Sequence, residues 1–100
     1  MTYTLSRKAE DDLIEIYIEG VSQFGRDQAD QYHEKIEKMI DLLSENPRIA
    51  RERLEISPPV RIHPFHSHLI VYMADDNNDI FIVRICHGHE DWQSNPIHRE

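Results

Sequence analysis

The sequence predicts an α+β fold in which two amphipathic helices pack on a sheet. Two observations carry this. Apolar residues recur at three- and four-residue intervals through the first half of the chain, and after Pro59 that period gives way to runs of branched and aromatic residues. A third observation, the short joint "FGRD" between the two periodic segments, predicts that the helices form an antiparallel hairpin.

Each element has a local reason. Residues 2–5 are a short β-prone piece ending at Ser6, a good helix N-cap. Ala9, Leu13, Ile16, Tyr17, Val21 and Phe24 then mark one face of a first helix over about residues 7–24, which Gly25 can stop. Asp27 opens a second series, Ala29, Tyr32, Ile36, Met39, Ile40 and Leu43, giving a helix over about residues 27–45 that ends before Asn46-Pro47. Acids in "EDDLIE" complement the dipole of the first helix, and Glu34 and Lys38 are spaced to pair on the second. These charges read as solvated faces, and they would also attract a partner with basic residues.

The charged connector "RIARERLEISPP" leads to three strands at about 60–65, 68–75 and 79–87, with Asp75 to Asn78 as the turn between the last two. The expected sheet is antiparallel throughout. Pro64 pushes its strand toward an edge or an irregularity. The central strands are almost wholly apolar, so the hairpin should cover one face, and a partner, the C-terminal segment or a second copy the other.

Length and composition bound the function. One hundred residues suit a single domain, residues 1–100, and 39% hydrophobic with 30% charged residues suit a globular chain. The single cysteine, Cys86, excludes an internal disulfide framework, fits a reducing cytosol and reads as a small buried apolar residue. The early polar turn of "MTYTLSRKAEDD" excludes a signal peptide, and no apolar run is long enough to span a membrane, so the expected location is cytoplasmic. A net charge of -8 is the wrong sign for gripping phosphate backbones with the general surface, so no general nucleic-acid binding is expected.

The densest chemistry lies in "RICHGHEDWQ", Arg84 to Gln93. Arg84, set in an apolar strand, calls for a carboxylate partner, Asp91 or a glutamate of the hairpin. Trp92 reads as a cap on the core edge. His63, His66, His68, His87 and His89 invite a metal hypothesis, but there is no cysteine pair and no His-x-x-x-His on a helix. We expect neither metal nor cofactor.

The segments "YTLSRKAEDDLIEIY", "FGRDQADQY", "LLSENPRIAR", "VRIHPFHSHLIVY" and "IFIVRICHGHEDW" cover nearly the whole chain from Tyr3 to Trp92. In this order and spacing they resemble the ParE toxins of the RelE/ParE toxin-antitoxin superfamily. The resemblance implies the order β-α-α-β-β-β and a small bacterial toxin that inhibits DNA gyrase by binding. It also implies a ParD-like antitoxin that neutralises the toxin in a hetero-oligomer. Its ending "HGHEDW", with His87 and Asp91, matches the family's usual histidine-to-aspartate ending of the last strand. The partner-binding residues expected on this basis are Arg61, Arg84, His87, Asp91 and Trp92 on the sheet and its continuation, with Leu13, Tyr17 and Phe24 on the hairpin.

The alternative within the superfamily is a RelE-type ribosome-dependent mRNA endonuclease. That chemistry needs a base for the 2'-hydroxyl, cations for the phosphate and an acid for the leaving oxygen. Arg61, Arg84 and His87, with His89 beside them, are the candidates here. The segment after the last strand holds no lysine and no tyrosine, which departs from the nuclease pattern.

Overall fold

The computed structural model describes residues 3–88. Strand β1 (Tyr3–Leu5) leads into helix α1 (Arg7–Phe24) and helix α2 (Arg26–Glu45). A single 3-10 turn (Pro47–Ile49) and a two-residue strand β2 (Glu52–Arg53) follow, then β3 (Val60–Phe65), β4 (His68–Ala74) and β5 (Ile80–His87). The five strands form one sheet in the order β1-β5-β4-β3-β2.

The expected α+β arrangement is present, with one correction to the pairing. Strand β1 runs parallel to β5, Tyr3 opposite Ile80 and Leu5 opposite Ile82, so the sheet is mixed; the other pairs are antiparallel. The reason is the route of the chain. Helices α1 and α2 carry it from the β1 edge across to the far edge, and the last strand returns beside the first. Three residues are too few to reveal their neighbour by periodicity. The connector also holds more structure than expected, because β2 pairs with the start of β3 and Arg61 Nη1 donates to Ala50 O at 2.6 Å. Since β2 reaches only Val60 and Arg61, β3 is an edge at Pro64 among the described residues, and proline offers no N–H to a further strand there.

Ser6 joins the first strand, the first helix and the last strand. Its Oγ accepts from Ala9 N at 2.9 Å as the N-cap of α1 and donates to Val83 O at 2.7 Å, while its backbone N donates to Ile82 O at 2.9 Å. Gly25, at φ 91, supplies the left-handed residue that reverses the chain between the helices. Their antiparallel course shows in the contacts of Tyr17 Oη with Asp30 Oδ1 at 2.7 Å and of Gly20 with Ala29. A Cβ on Gly20 would stand 3.3 Å from that of Ala29, so the small pair sets how closely the helices approach.

The main core lies between hairpin and sheet, with Ala9, Ile36, Ile40 and Leu43 packed on Phe65, Ile70, Tyr72, Ile82 and Ile85. Tyr72 is wholly buried, and its hydroxyl donates to Pro47 O at 2.8 Å, tying the connector to the sheet. The opposite face holds a smaller cluster of Val60, Val71, Val83 and Cys86, with Ile56 from the connector packed against it. Cys86 is buried there, as its apolar reading implied.

The second half of α1 departs from the expected inward face. Ala9 and Asp12 are buried and Leu13 and Ile16 pack on the core, but Val21 and Phe24 are exposed. Beyond Ile16 the helix borders a cleft that Phe24 lines, whereas Val21 is exposed with Ile14 and Ile18 on the outward side of α1.

Candidate functional site

Strand β5 brings the polar residues of the chain's second half to one end of the sheet. A bulge in its pairing with β4 sets Val71 opposite Arg84 and Tyr72 opposite Ile82, leaving Val83 as the extra residue directly before Arg84. Bulges of this kind re-aim the side chains that follow. The Arg84 guanidinium reaches Asp12 on α1, donating from Nε to Oδ2 at 2.8 Å and from Nη2 to Oδ1 at 3.1 Å. Asp12 Oδ2 also accepts from Ile85 N at 2.9 Å. Both side chains are buried, so this is a two-pronged ion pair that clamps the first helix to the last strand.

Asp12 was not among the expected partners of Arg84, which were Asp91 or a hairpin glutamate. Asp91 lies outside the described residues, and the hairpin supplies an aspartate that reads in sequence as a helix-dipole charge. Its spacing was a usable signal, because Ala9, Asp12 and Ile16 follow the three-four rhythm of the inward face.

Beyond Arg84 the chain enters a cleft of about 500 Å³ between the hairpin, the β3–β4 turn and the end of β5. Ile16, Glu19 and Phe24 line it from α1, Tyr32 and Lys35 from α2, and His68 and His87 from the sheet. His87 is half exposed, with Nε2 3.4 Å from Glu19 Oε1 and its ring centroid 4.6 Å from that of His68. His68 is more than nine-tenths buried and lies beside Tyr32, their Nδ1 and Oη atoms 2.7 Å apart. Burial, then the neighbouring His87, hold the His68 imidazole below its ordinary value, and burial raises the Tyr32 phenol. Tyr32 is no candidate on sequence, and His68 enters there only through the metal hypothesis; the β4–β5 register sets His68 directly opposite His87.

The remaining expected residues are scattered. Arg61 is part-buried on β3 and bonded to Ala50, Leu13 packs against the main core, Tyr17 is held by Asp30, and Phe24 is exposed at the cleft. Trp92 and His89, like Asp91, lie outside the described residues. Ile14 and Ile18, 58% and 60% exposed and absent from the expected inward face, form an outward stripe on α1 with Val21. Among the described residues, no three His, Cys, Asp or Glu side chains are grouped to hold a metal ion, and no helix is long and apolar enough to cross a membrane.

The family described as the ParE toxin of the type II toxin-antitoxin system parDE matches residues 3–92, spanning every element above. The chain belongs to this family. ParE relatives agree over the same span. Toxin ParE1 of Mycobacterium tuberculosis is 36% identical over 93 residues in strain CDC 1551 / Oshkosh and likewise in strain ATCC 25618 / H37Rv, covering 93% of this chain and 95% of the relative. The fold is shared with a solved chain titled "Chromosomal ParDE TA system from P. aeruginosa", at a TM-score of 0.74 and 24% identity, over 87% of this chain and 95% of that one.

Proposed function

We propose that this ParE toxin acts in the cytoplasm by binding DNA gyrase, without chemistry of its own, and is neutralised by a ParD-like antitoxin. The observation that carries the reading is the state of Arg84. A nuclease would need that cation turned toward a phosphate, whereas here two of its nitrogens are bonded to a buried carboxylate. Arg61 is similarly engaged by the Ala50 carbonyl, and His87 faces Glu19. The acidic overall charge adds a general repulsion toward RNA.

Ile14, Ile18, Val21 and Phe24 repeat at four- and three-residue intervals and suit an amphipathic helix laid along α1. Glu10, Asp11, Glu15 and Glu19 are exposed on the same helix and favour basic residues on the antitoxin helix. Leu13 and Tyr17 would support this surface from beneath, and Phe24, Arg61 and His87 would contribute where the cleft meets the sheet.

The ribosome-dependent nuclease reading rests on His87, whose exposed imidazole beside Glu19 could move a proton. Expression in a reporter strain separates the two. Binding to gyrase predicts induction of the DNA-damage response with mRNA intact. Cuts at fixed codon positions on purified ribosomes, absent in folded Arg61→Ala, Arg84→Ala or His87→Ala variants, would replace it with the nuclease reading.

A further inference from the structure

The cleft holds an aromatic column of which the proposed function uses only His87. The His68 ring lies between Tyr32 and His87, at centroid distances of 5.6 Å and 4.6 Å, and so connects α2, the start of β4 and the end of β5. Phe65 and His66 pack on the same Tyr32 ring, at 5.5 Å and 5.7 Å, which places the whole β3–β4 turn against the hairpin through one phenol. The turn is strained at His66, whose φ of 55 is in the left-handed region, and Gly88 N donates to Ser67 O at 3.0 Å, bringing the end of β5 onto it.

The proton positions follow from the partners. The Tyr32 phenol, which burial keeps protonated, is placed to donate to His68 Nδ1, an arrangement in which the neutral imidazole carries its own hydrogen on Nε2, a buried atom with no hydrogen-bond partner among the described residues. A second proton on Nδ1 would set two donors against each other and force the phenol to turn. It would also place a cation in a buried site, beside His87, with no acceptor for Nε2 among the described residues. The groups facing His68 are Asp12, Glu15 and Glu19 from α1, Tyr32 and Lys35 from α2, His66 from the turn and His87 from β5. Asp12 and Glu19 favour the cation, but burial and His87 outweigh them, so the folded state prefers neutral His68.

We propose that Tyr32, His68 and His87 form a proton-sensitive latch that holds the β3–β4 turn against the helix hairpin and releases it in mild acid. The sign follows from linkage. A histidine held below its ordinary value of about 6.5 contributes stability that is present above that pH and is lost as the pH falls through its folded value. Release opens the cleft, so any partner seated over His87 and Phe24 meets a different surface at pH 5.5 than at pH 7.5. The proposal is independent of the cellular target.

The test uses the full chain with labelled histidine, followed by NMR from pH 8 to pH 5, with hydrogen exchange at Gly88, whose amide reports on the turn. The latch predicts a His68 midpoint below 6.5. It also predicts a fall in Gly88 protection, after correction for chemical exchange, of up to about tenfold for each pH unit of that depression, while Ile82 in the sheet centre stays protected. His87→Gln, at an exposed position, should raise the His68 midpoint toward 6.5, and His68→Gln should abolish the pH dependence at Gly88. A His68 midpoint at or above 6.5, or a Gly88 response that persists in His68→Gln, would overturn the latch. If His68→Gln does not fold, an unmoved His68 midpoint in His87→Gln overturns it instead.

Discussion

Replacing Asp12 by asparagine probes the contact that fastens the first helix to the last strand. The carboxylate accepts two bonds from Arg84 and one from Ile85 N, at 2.8, 3.1 and 2.9 Å, with both side chains buried. Asparagine keeps the shape and one acceptor oxygen, but it removes the negative charge opposite the guanidinium and turns a donor toward it. Breaking a buried pair from one side costs about 3–5 kcal/mol, against a total stability of about 5–15 kcal/mol for a domain of this size. At about 4–8 °C per kcal/mol, Tm should fall by at least about 12 °C, measured by thermal melting monitored by circular dichroism at neutral pH. The double replacement Asp12→Leu with Arg84→Met should recover part of that loss, because apolar side chains of similar volume can substitute for a buried pair, while Ile85 N loses its Asp12 acceptor. The exposed Glu34–Lys38 pair, 4.0 Å apart, is the control, and Lys38→Met should move Tm by less than about 3 °C. An Asp12→Asn protein that melts within about 3 °C of the parent would refute the clamp as a main support of the fold.

Other positions test separate parts of the account. Ile14→Glu combined with Ile18→Glu should leave Tm nearly unchanged, since both side chains are exposed, yet weaken binding of the neighbouring gene's antitoxin by about 100-fold or more in titration calorimetry; unaltered affinity would remove the α1 stripe from the antitoxin interface. Tyr72→Phe removes the donor to Pro47 O and leaves that carbonyl without this partner, so denaturant unfolding should show a loss of about 1–3 kcal/mol with the slope unchanged. Ile40→Ala, deep between hairpin and sheet, should cost about 2–5 kcal/mol in the same assay.

Elements that bury one continuous face were readable in the sequence to within a residue or two. The second helix is the clearest case, because Ala29, Ile36, Ile40 and Leu43 all enter the core at their periodic positions. Three features escaped for physical reasons. The partner of β1 is set by where the hairpin delivers the chain, which local periodicity does not encode. Val21 and Phe24 fit the apolar rhythm of α1, but Phe24 falls at the cleft and Val21 on the outward side of the helix, so the pattern alone overstates the buried face. Asp12 carries the inward spacing of α1, but the groups that hold it, Arg84 and Ile85, are more than 70 positions away in sequence, so its role as their partner is not local information. The cleft has the same character: His87 is a candidate from its place at the strand end and His68 only as a possible metal ligand, whereas Tyr32 joins them through tertiary contacts alone.

The claim that this ParE toxin works by binding is tested most directly with purified gyrase and purified ribosomes, using the parent protein and His87→Ala side by side. Both proteins should inhibit supercoiling and trap cleaved DNA on gyrase. The variant should stay within about tenfold of the parent, because binding energy is spread over several contacts, and neither should cut mRNA. Loss of a general acid or base instead lowers a chemical rate by about 100-fold to 10,000-fold. The account would be contradicted by a parent protein that leaves gyrase untouched and cuts ribosome-bound mRNA, together with a folded His87→Ala protein that does not.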